Sequence, residues 1–542
     1  MLFFLKKLHF SRQAYILLAI ICVGVFLRTY HFKDWLYFYP DQARDVSLVD
    51  DVLSGKSAWP LLGPIAASTH FKLGPIYYYF QIISAKIFDS TPWTIAYPDL
   101  LFSILSIPLL YYFFKKYFSI NLSLSLTGLY SVSFYAIRYS RFAWNSNSIP
   151  FFCLLFLLAL YEFICYKEKT HWYWIILGGI ALGVSIQLHT VLLVLMPIFF
   201  VIIFIFLIKS SYNKINFWSK TIAIILIAMA LNTGQIISET RTNFFNTRQF
   251  LRVFSDRSPN EGSEFEKNIA LDAICSGQAN ILFLSSLENN DSCNSFSYFK
   301  YTGNLQDYIV SMAAILTGVV IFFLGCVLLI YYFFQETDKK RKIFLGLNFL
   351  WSFLIFLVIL PIVNHNGQVR YFLPILFLPF LFLGLILNFI SKNNSEKIWL
   401  KRVVFIILIA LNGSAIFSQA KLFYTKTSNT AIYITLDELN AISDYIKNQA
   451  GNSKDIYLLG GAKYLQNYTK TLSYTMSKRN INVLRSGRFF QKIANTTVPI
   501  FFIGQSLGNK QATEYDSVPG NYNLEIENYR SFGQIGIYKL KN

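Results

Sequence analysis

Long apolar stretches recur along the chain, separated by short polar segments. Eleven are long enough to cross a bilayer as helices, because about 20 helical residues span the hydrocarbon core. The predicted spans are 13–29, 95–114, 119–137, 148–166, 174–190, 191–209, 221–238, 308–334, 343–362, 371–391 and 403–420. The first span has no small-residue cleavage site after it, so it predicts a retained helix rather than a signal peptide. The pattern therefore predicts a polytopic α-helical membrane protein.

Residues 30–94 form a long first loop that contains one further apolar stretch, 74–88. This stretch has fifteen residues and a Tyr-rich start, which favours a helix lying at the membrane interface over a span. With that assignment, Lys115 and Lys116 fall on the same side as the N-terminus, as do the other strong Lys/Arg clusters of the short loops. The positive-inside rule then predicts a cytoplasmic N-terminus and an extracytoplasmic C-terminus.

The longest polar interval between spans, 239–307, is predicted to be a loop on the outer face. Two of the six cysteines, Cys275 and Cys293, lie in it. If that face is oxidising, these two could form a disulfide, and otherwise they stay reduced.

The last part of the chain, 421–542, has a different pattern. Residues 435–451 predict a helix that begins after a Thr cap and ends before a glycine. Short apolar runs at 455–461 and 498–504 predict buried strands, and 534–540 predicts a closing strand. The chain is therefore divided into a transmembrane module, 1–420, and a small extracytoplasmic α/β domain, 421–542.

Composition supports membrane insertion. The chain is 54% hydrophobic and 18% aromatic and only 14% charged, which is unusual for a soluble domain of this length. The net charge of +19 follows from basic residues flanking the spans, so nucleic acid is not expected as a partner. The Lys/Ile/Phe/Asn-rich composition favours a bacterial inner membrane.

The predicted topology places eight ionisable residues at or near the outer membrane surface. They come from separate segments: Asp41, Asp45, Lys72, Arg138, Arg141, His189, Glu239 and Arg370. Ionisable groups at a membrane boundary are costly unless they are solvated or paired. Each could therefore be a solvated loop residue, or the set could form one site.

Five motifs give the chain a resemblance to a known superfamily. They are PDQARD (40–45), FKLGPIYYY (71–79), RYSRFAWNSN (138–147), ISETRTNFFNTR (237–248) and QVRYFLP (368–374). In their order and sidedness they resemble the GT-C glycosyltransferases that use polyprenyl-phosphate sugars, in the branch of protein O-mannosyltransferases and aminoarabinose transferases. The resemblance covers about residues 1–390 and implies a GT-C-like fold.

The resemblance implies inverting transfer of a single sugar, hexose or pentose, from a polyprenyl-phosphate donor in the membrane. The acceptor would be an envelope glycolipid, glycan or protein on the outer face. Asp41 is assigned as the general base, because the attacking hydroxyl must lose a proton. Cations would bind the donor phosphate: Lys72, Arg138, Arg141 and Arg370. Sugar or acceptor hydroxyls would be bound by Asp45, Glu239 and His189.

No cofactor is expected. Asn145 and Asn147 stand where oligosaccharyltransferases have metal-binding acids, and Gln42 follows Asp41 where relatives often have Glu. Hard divalent cations prefer several carboxylate oxygens, so a metal requirement is disfavoured. Two other functions remain open. A lipid or sugar transporter or flippase would place charges near mid-membrane on broken helices, and a membrane-anchored assembly protein would explain the C-terminal domain without the charged set.

Overall fold

The computed structural model describes residues 11–66, 69–210, 214–255, 264–287, 305–360, 368–392, 398–430, 432–485, 497–506 and 525–541. The helices in this part of the chain are α1 (Arg12–Thr29), α2 (Pro40–Leu53), α3 (Ile76–Phe88), α4 (Tyr97–Phe114), α5 (Ile120–Ser131), α6 (Phe134–Tyr139), α7 (Ile149–Tyr166), α8 (Trp172–Leu188), α9 (Thr190–Ser210), α10 (Lys214–Leu231), α11 (Thr233–Arg241), α12 (Phe245–Ser255), α13 (Glu264–Ser285), α14 (Leu305–Gln335), α15 (Lys339–Ile359), α16 (Leu378–Lys392), α17 (Ile398–Tyr424), α18 (Leu436–Ala450) and α19 (Ala462–Ser477).

The helical part is that of a multi-pass membrane protein. Among the described residues, seven helices are long and apolar enough to cross a membrane, and up to nine if each bent pair is one span. The prediction of eleven is not confirmed as a number. Helix α8 is a shorter apolar helix of 17 residues, and the span predicted at 119–137 is two helices, α5 and α6.

Three predicted spans are broken. Helices α10 and α11 meet at 63°, and the 3₁₀ helix Val369–Ile375 meets α16 at 60°. The break between α5 and α6 leaves a free backbone N–H at Phe134, which donates to Asn412 Oδ1 of α17 at 2.9 Å. A buried donor without a partner is costly. The hydrogen bond to the Asn412 side chain removes this cost at the break.

The predicted outer loop 239–307 contains two helices, α12 and α13, and its position on the outer face stays a prediction. Helix α13 packs closely against α14, where a Cβ on Gly318 would lie 1.9 Å from the carbonyl oxygen of Gly277. Cys275 lies inside α13 and is buried. Cys293 lies outside the described residues, so the proposed disulfide stays a prediction.

The C-terminal part forms a sheet of five described strands, β1 (Asp455–Gly460), β2 (Asn482–Arg485), β3 (Ile500–Gln505), β4 (Ile526–Phe532) and β5 (Ile535–Leu540). The order is β2-β1-β3-β5-β4, with the first three parallel and β5 antiparallel to both neighbours. Helix α18 starts at the predicted Thr435 cap, which forms a capping box with Glu438.

The C-terminal part shares a hydrophobic core with the first loop. One buried cluster joins Phe38 and Val46 of the loop to Tyr468 of α19. The backbones also pair, since Phe38 N–H donates to the Ile434 carbonyl at 3.1 Å. The division into 1–420 and 421–542 therefore stays a prediction, and α19 is held against α2 by a continuous core.

Candidate functional site

A polar cavity of about 820 Å³ lies between the first loop, the segment after α6, the 3₁₀ helix and the C-terminal part. It brings together three residues predicted from the sequence, Asp41, Arg138 and Arg370. The other described lining residues are Tyr39, Pro40, Gln42, Tyr139, Phe142, Trp144, Gln368, Ile432, Tyr433, Gln466, Asn467 and Lys470. The cavity is the candidate active site.

Asp41 lies in the first turn of α2, directly after Pro40, whose fixed φ suits the start of a helix. Its side chain is 57% exposed, and Oδ1 accepts a hydrogen bond from Arg44 Nη1 at 2.9 Å. The adjacent Gln42 is buried and fixes the turn, because its Oε1 accepts from Tyr39 N–H at 2.8 Å. The carboxylate is thus held on a helix end and open to the cavity.

Arg138 joins the polar cavity to a second, apolar groove. Its guanidinium lies over the rings of Tyr37 at 5.6 Å and Tyr433 at 5.5 Å, an arrangement that attracts a cation to the ring faces. The groove, about 290 Å³, runs between α1, α6 and α17 and is lined by Arg138 as well. Phe26 of α1 and Phe417 of α17 line it and are exposed on the helix bundle. The groove therefore combines apolar side chains with the guanidinium groups of Arg138 and Arg141.

Arg370 lies at the start of the 3₁₀ helix, with its guanidinium 5.5 Å from the Trp144 ring centroid and 5.6 Å from that of Tyr371. No carboxylate in the described part of the chain is within salt-bridge distance of it, and its buried Nε has no hydrogen-bond partner. Arg370 thus brings an uncompensated cation to the cavity wall.

His189 lies beside Arg370 rather than on the cavity. Its ring is 5.5 Å from that of Tyr371, and Nδ1 accepts from the Val191 backbone N–H at 3.2 Å. The lone pair on Nδ1 is therefore used to cap the start of α9. His189 does not line the polar cavity, and its role in binding sugar hydroxyls stays a prediction.

Asp99 is a positioning residue that sequence reasoning missed. It is fully buried and accepts hydrogen bonds from Tyr77 Oη at 2.8 Å, Trp144 N–H at 3.0 Å and Ser148 Oγ at 2.6 Å. These bonds tie the segment that carries Trp144 to α3 and α4. The only indication of this role in the sequence is that the acid follows Pro98 at the start of an apolar run. That indication is not specific, because acids are common at helix N-termini, where they are stabilised by the helix dipole.

Two predicted residues are turned away from the cavity into the protein. Arg141 is buried and donates to the carbonyls of Arg28, Tyr30 and His31 at 2.8–3.0 Å, so it caps the end of α1. Asp45 is buried and paired with Arg44 at 2.7 Å. Burial raises the pKa of Asp45 to about 6, against the opposing effect of Arg44. Neither lines the polar cavity. Arg141 does line the apolar groove, but its two Nη atoms are occupied by these backbone carbonyls.

Lys72 and Glu239 lie together at a different place. The Lys72 backbone exchanges two hydrogen bonds with the Asn246 amide, at 2.7 and 2.9 Å, and its side chain is exposed. Glu239 is buried and accepts from Thr247 N–H at 3.3 Å. Neither lines the polar cavity.

The cavity wall from the C-terminal part had no sequence signal. Tyr433, Gln466, Asn467 and Lys470 come from a segment whose pattern predicted only strands and helices. In the described ranges, no three His, Cys, Asp or Glu side chains lie close enough to hold a metal ion. Whether the protein needs a metal therefore stays a prediction.

Residues 72–233 match the model of the dolichyl-phosphate-mannose-protein mannosyltransferase family, a range that contains Arg138 but neither Asp41 nor Arg370. A search of curated proteins found no match to the chain.

Three solved structures illustrate the structural similarity. ArnT from Cupriavidus metallidurans bound to undecaprenyl phosphate is 11% identical, with a TM-score of 0.46 and 98% of each chain covered. The Archaeoglobus fulgidus oligosaccharyltransferase is 12% identical, with a TM-score of 0.44, over 91% of this chain and 69% of that one. The S. cerevisiae Pmt1-Pmt2 complex bound to the sugar donor is 11% identical, with a TM-score of 0.34, over 44% and 35%.

The family match confirms the resemblance drawn from the motifs and supports a function in lipid-linked sugar transfer. Over residues 72–233, less than half of the chain, the sequence is similar to the GT-C glycosyltransferases that use polyprenyl-phosphate sugars.

Proposed function

We propose that the protein is an inverting glycosyltransferase that moves one sugar from a polyprenyl-phosphate donor to an envelope acceptor, on the outer face of a bacterial cytoplasmic membrane. The observation that carries the proposal is the position of Arg138. This cation lines both the apolar groove and the polar cavity that holds Asp41 and Arg370.

The shape of the two spaces fits a lipid-borne sugar. The groove between α1 and α17 would take the part of the polyprenyl chain next to the phosphate, because its lining is apolar and its edges are exposed on the bundle. The phosphate would lie at Arg138, where the groove meets the cavity. The sugar would then extend into the cavity toward Asp41. Arg is suited to phosphate through its planar set of donors.

The reaction follows from these positions. The acceptor hydroxyl oxygen attacks the anomeric carbon and its proton passes to the Asp41 carboxylate. The bond from the anomeric carbon to the phosphate oxygen breaks, and its electron pair leaves with polyprenyl phosphate. Arg138 and Arg370 stabilise the charge that develops on this leaving group, an effect worth roughly 3–4 kcal/mol for one well-placed donor. A single displacement inverts the anomeric centre.

The test is donor consumption by the purified full-length protein, with a mixed pool of polyprenyl-phosphate sugars and envelope extract as acceptor. Asp41→Asn removes the base but keeps the side-chain shape. We expect turnover to fall about 100-fold or more, with donor binding retained. Asp51→Asn is the matched control, since Asp51 lies on the same helix outside the cavity and its loss should leave turnover unchanged.

Three other outcomes would contradict the proposal in different ways. Normal turnover by Asp41→Asn would exclude Asp41 as the base. A donor that binds but is never consumed would favour the assembly role. Movement of intact donor across proteoliposome membranes, without release of polyprenyl phosphate, would favour a flippase.

A further inference from the structure

Helix α19 of the C-terminal part has two distinct faces. Tyr464, Tyr468, Leu472 and Met476, each four residues apart, are buried in the core shared with the first loop. Gln466, Asn467 and Lys470 lie on another face at helical spacing and line the polar cavity. The helix thus uses its apolar face for docking and presents amides and an ammonium group to the cavity.

The position of α19 relative to Asp41 is fixed. Its apolar face packs in the same cluster as Val46 and Val49 of α2, the helix whose first turn carries Asp41. Lys478 at the end of α19 forms an ion pair with Asp50 of α2 at 3.0 Å. Tyr468 Oη donates to the Thr430 carbonyl, which anchors the middle of α19. Lys470 is therefore held on the same rigid unit as the proposed base.

The charges in the cavity are unequal. Its described lining has three cations, Arg138, Arg370 and Lys470, and one acid, Asp41, which is already paired with Arg44. The two arginines line the side toward the groove and the 3₁₀ helix, where the donor phosphate would lie. Lys470 comes from the C-terminal wall, is exposed, and has no carboxylate partner among the residues described. A single donor phosphate bound at the two arginines would leave Lys470 without an anionic partner.

We propose that the acceptor carries an anionic group, phosphate or carboxylate, close to the hydroxyl that receives the sugar, and that Lys470 binds this group. Gln466 and Asn467 would contribute polar contacts beside it. The inference rests on the proposed function, because it names the acceptor class of the same cavity. Lys470 would act on acceptor binding and leave donor binding to the arginines.

The experiment uses the full-length protein, the mixed donor pool, and envelope extract separated by anion exchange into acidic and neutral fractions. We expect sugar to be transferred to the acidic fraction. Lys470→Glu should raise the amount of acidic fraction needed for half-maximal transfer about tenfold or more, as expected for loss of a charge-assisted contact. The donor concentration that gives half-maximal transfer by Lys470→Glu should stay within about twofold of the wild-type value. Lys470→Arg keeps the charge and should retain transfer.

Lys463→Glu is the matched control, because Lys463 is exposed on the same helix and does not line the cavity. Its acceptor dependence should equal that of the wild type. Retention of the acidic fraction on immobilised protein, weaker for Lys470→Glu than for Lys463→Glu, measures binding without turnover. Phosphatase treatment of the acidic fraction distinguishes the two sources of charge, since it abolishes transfer only to a phosphate-bearing acceptor.

Transfer to the neutral fraction, or an effect of Lys470→Glu on donor saturation alone, would overturn the inference and leave the proposed function standing. Failure of the wild type to consume donor with either fraction would overturn both, because there would then be no acceptor for Lys470 to select.

Discussion

Arg141 and Arg138 lie three residues apart, and the structure gives their side chains different contacts. Arg141 donates to the carbonyls of Arg28 at 3.0 Å, Tyr30 at 2.8 Å and His31 at 3.0 Å. These carbonyls end α1, where the last carbonyls of a helix have no partner within it. We therefore predict that Arg141→Gln destabilises the fold without changing donor binding.

The size of the effect follows from the exposure of each carbonyl. Arg28 is fully buried, so its carbonyl would stay unsatisfied, at a cost of about 1–3 kcal/mol. Tyr30 and His31 are exposed, so their carbonyls can bind water and only the net value of each bond, about 1 kcal/mol, is lost. The free energy of unfolding should fall by about 3–5 kcal/mol in total.

The assay is unfolding in detergent followed by tryptophan fluorescence, beside donor saturation measured below the unfolding transition. Arg138→Gln is the matched variant and should show the reverse pattern. Arg138 is half-buried over tyrosine rings, so its loss should change the free energy of unfolding by only about 1–2 kcal/mol. The donor concentration for half-saturation should rise about tenfold or more. Arg141→Gln with wild-type stability and weakened donor binding would refute the reasoning and restore Arg141 as a phosphate ligand.

Three further predictions concern stability and cofactors. Because burial raises the pKa of Asp45 to about 6 from 3.8, the folded protein keeps a proton that the unfolded chain loses between these values. This stabilisation is complete below pH 3.8 and is lost as pH rises through 6. Asp45→Asn should therefore make the free energy of unfolding less dependent on pH between pH 4 and 7. The same dependence on pH in the variant would exclude Asp45 as the group responsible. Gly318→Ala should cost about 1–3 kcal/mol, because its Cβ would meet the Gly277 carbonyl at 1.9 Å; wild-type stability would show that α13 and α14 are not in this contact. EDTA should leave donor turnover unchanged, and loss of turnover restored by a divalent cation would show that a metal is needed.

The site was only partly predictable from the sequence. The motifs and the predicted side of the membrane indicate Asp41, Arg138 and Arg370, and the structure brings these three to one cavity. Arg141 has the same motif and the same predicted side as Arg138, yet it faces the end of α1. Helical phase and the position of a neighbouring helix end decide between them, and a local motif contains neither.

The sequence by itself determined that the chain is a helical membrane protein with a C-terminal α/β part, because apolar length and strand-like runs are local properties. It could not show that 239–307 contains α13. The polar residues of α13 resemble those of a loop in the sequence, because a local pattern does not show that other helices pack around α13 and bury them. Only the tertiary structure showed that α19 packs on α2 and places Lys470 in the cavity. These contacts join residues more than 400 positions apart, such as Asp50 and Lys478, and complementary packing rather than any motif brings them together.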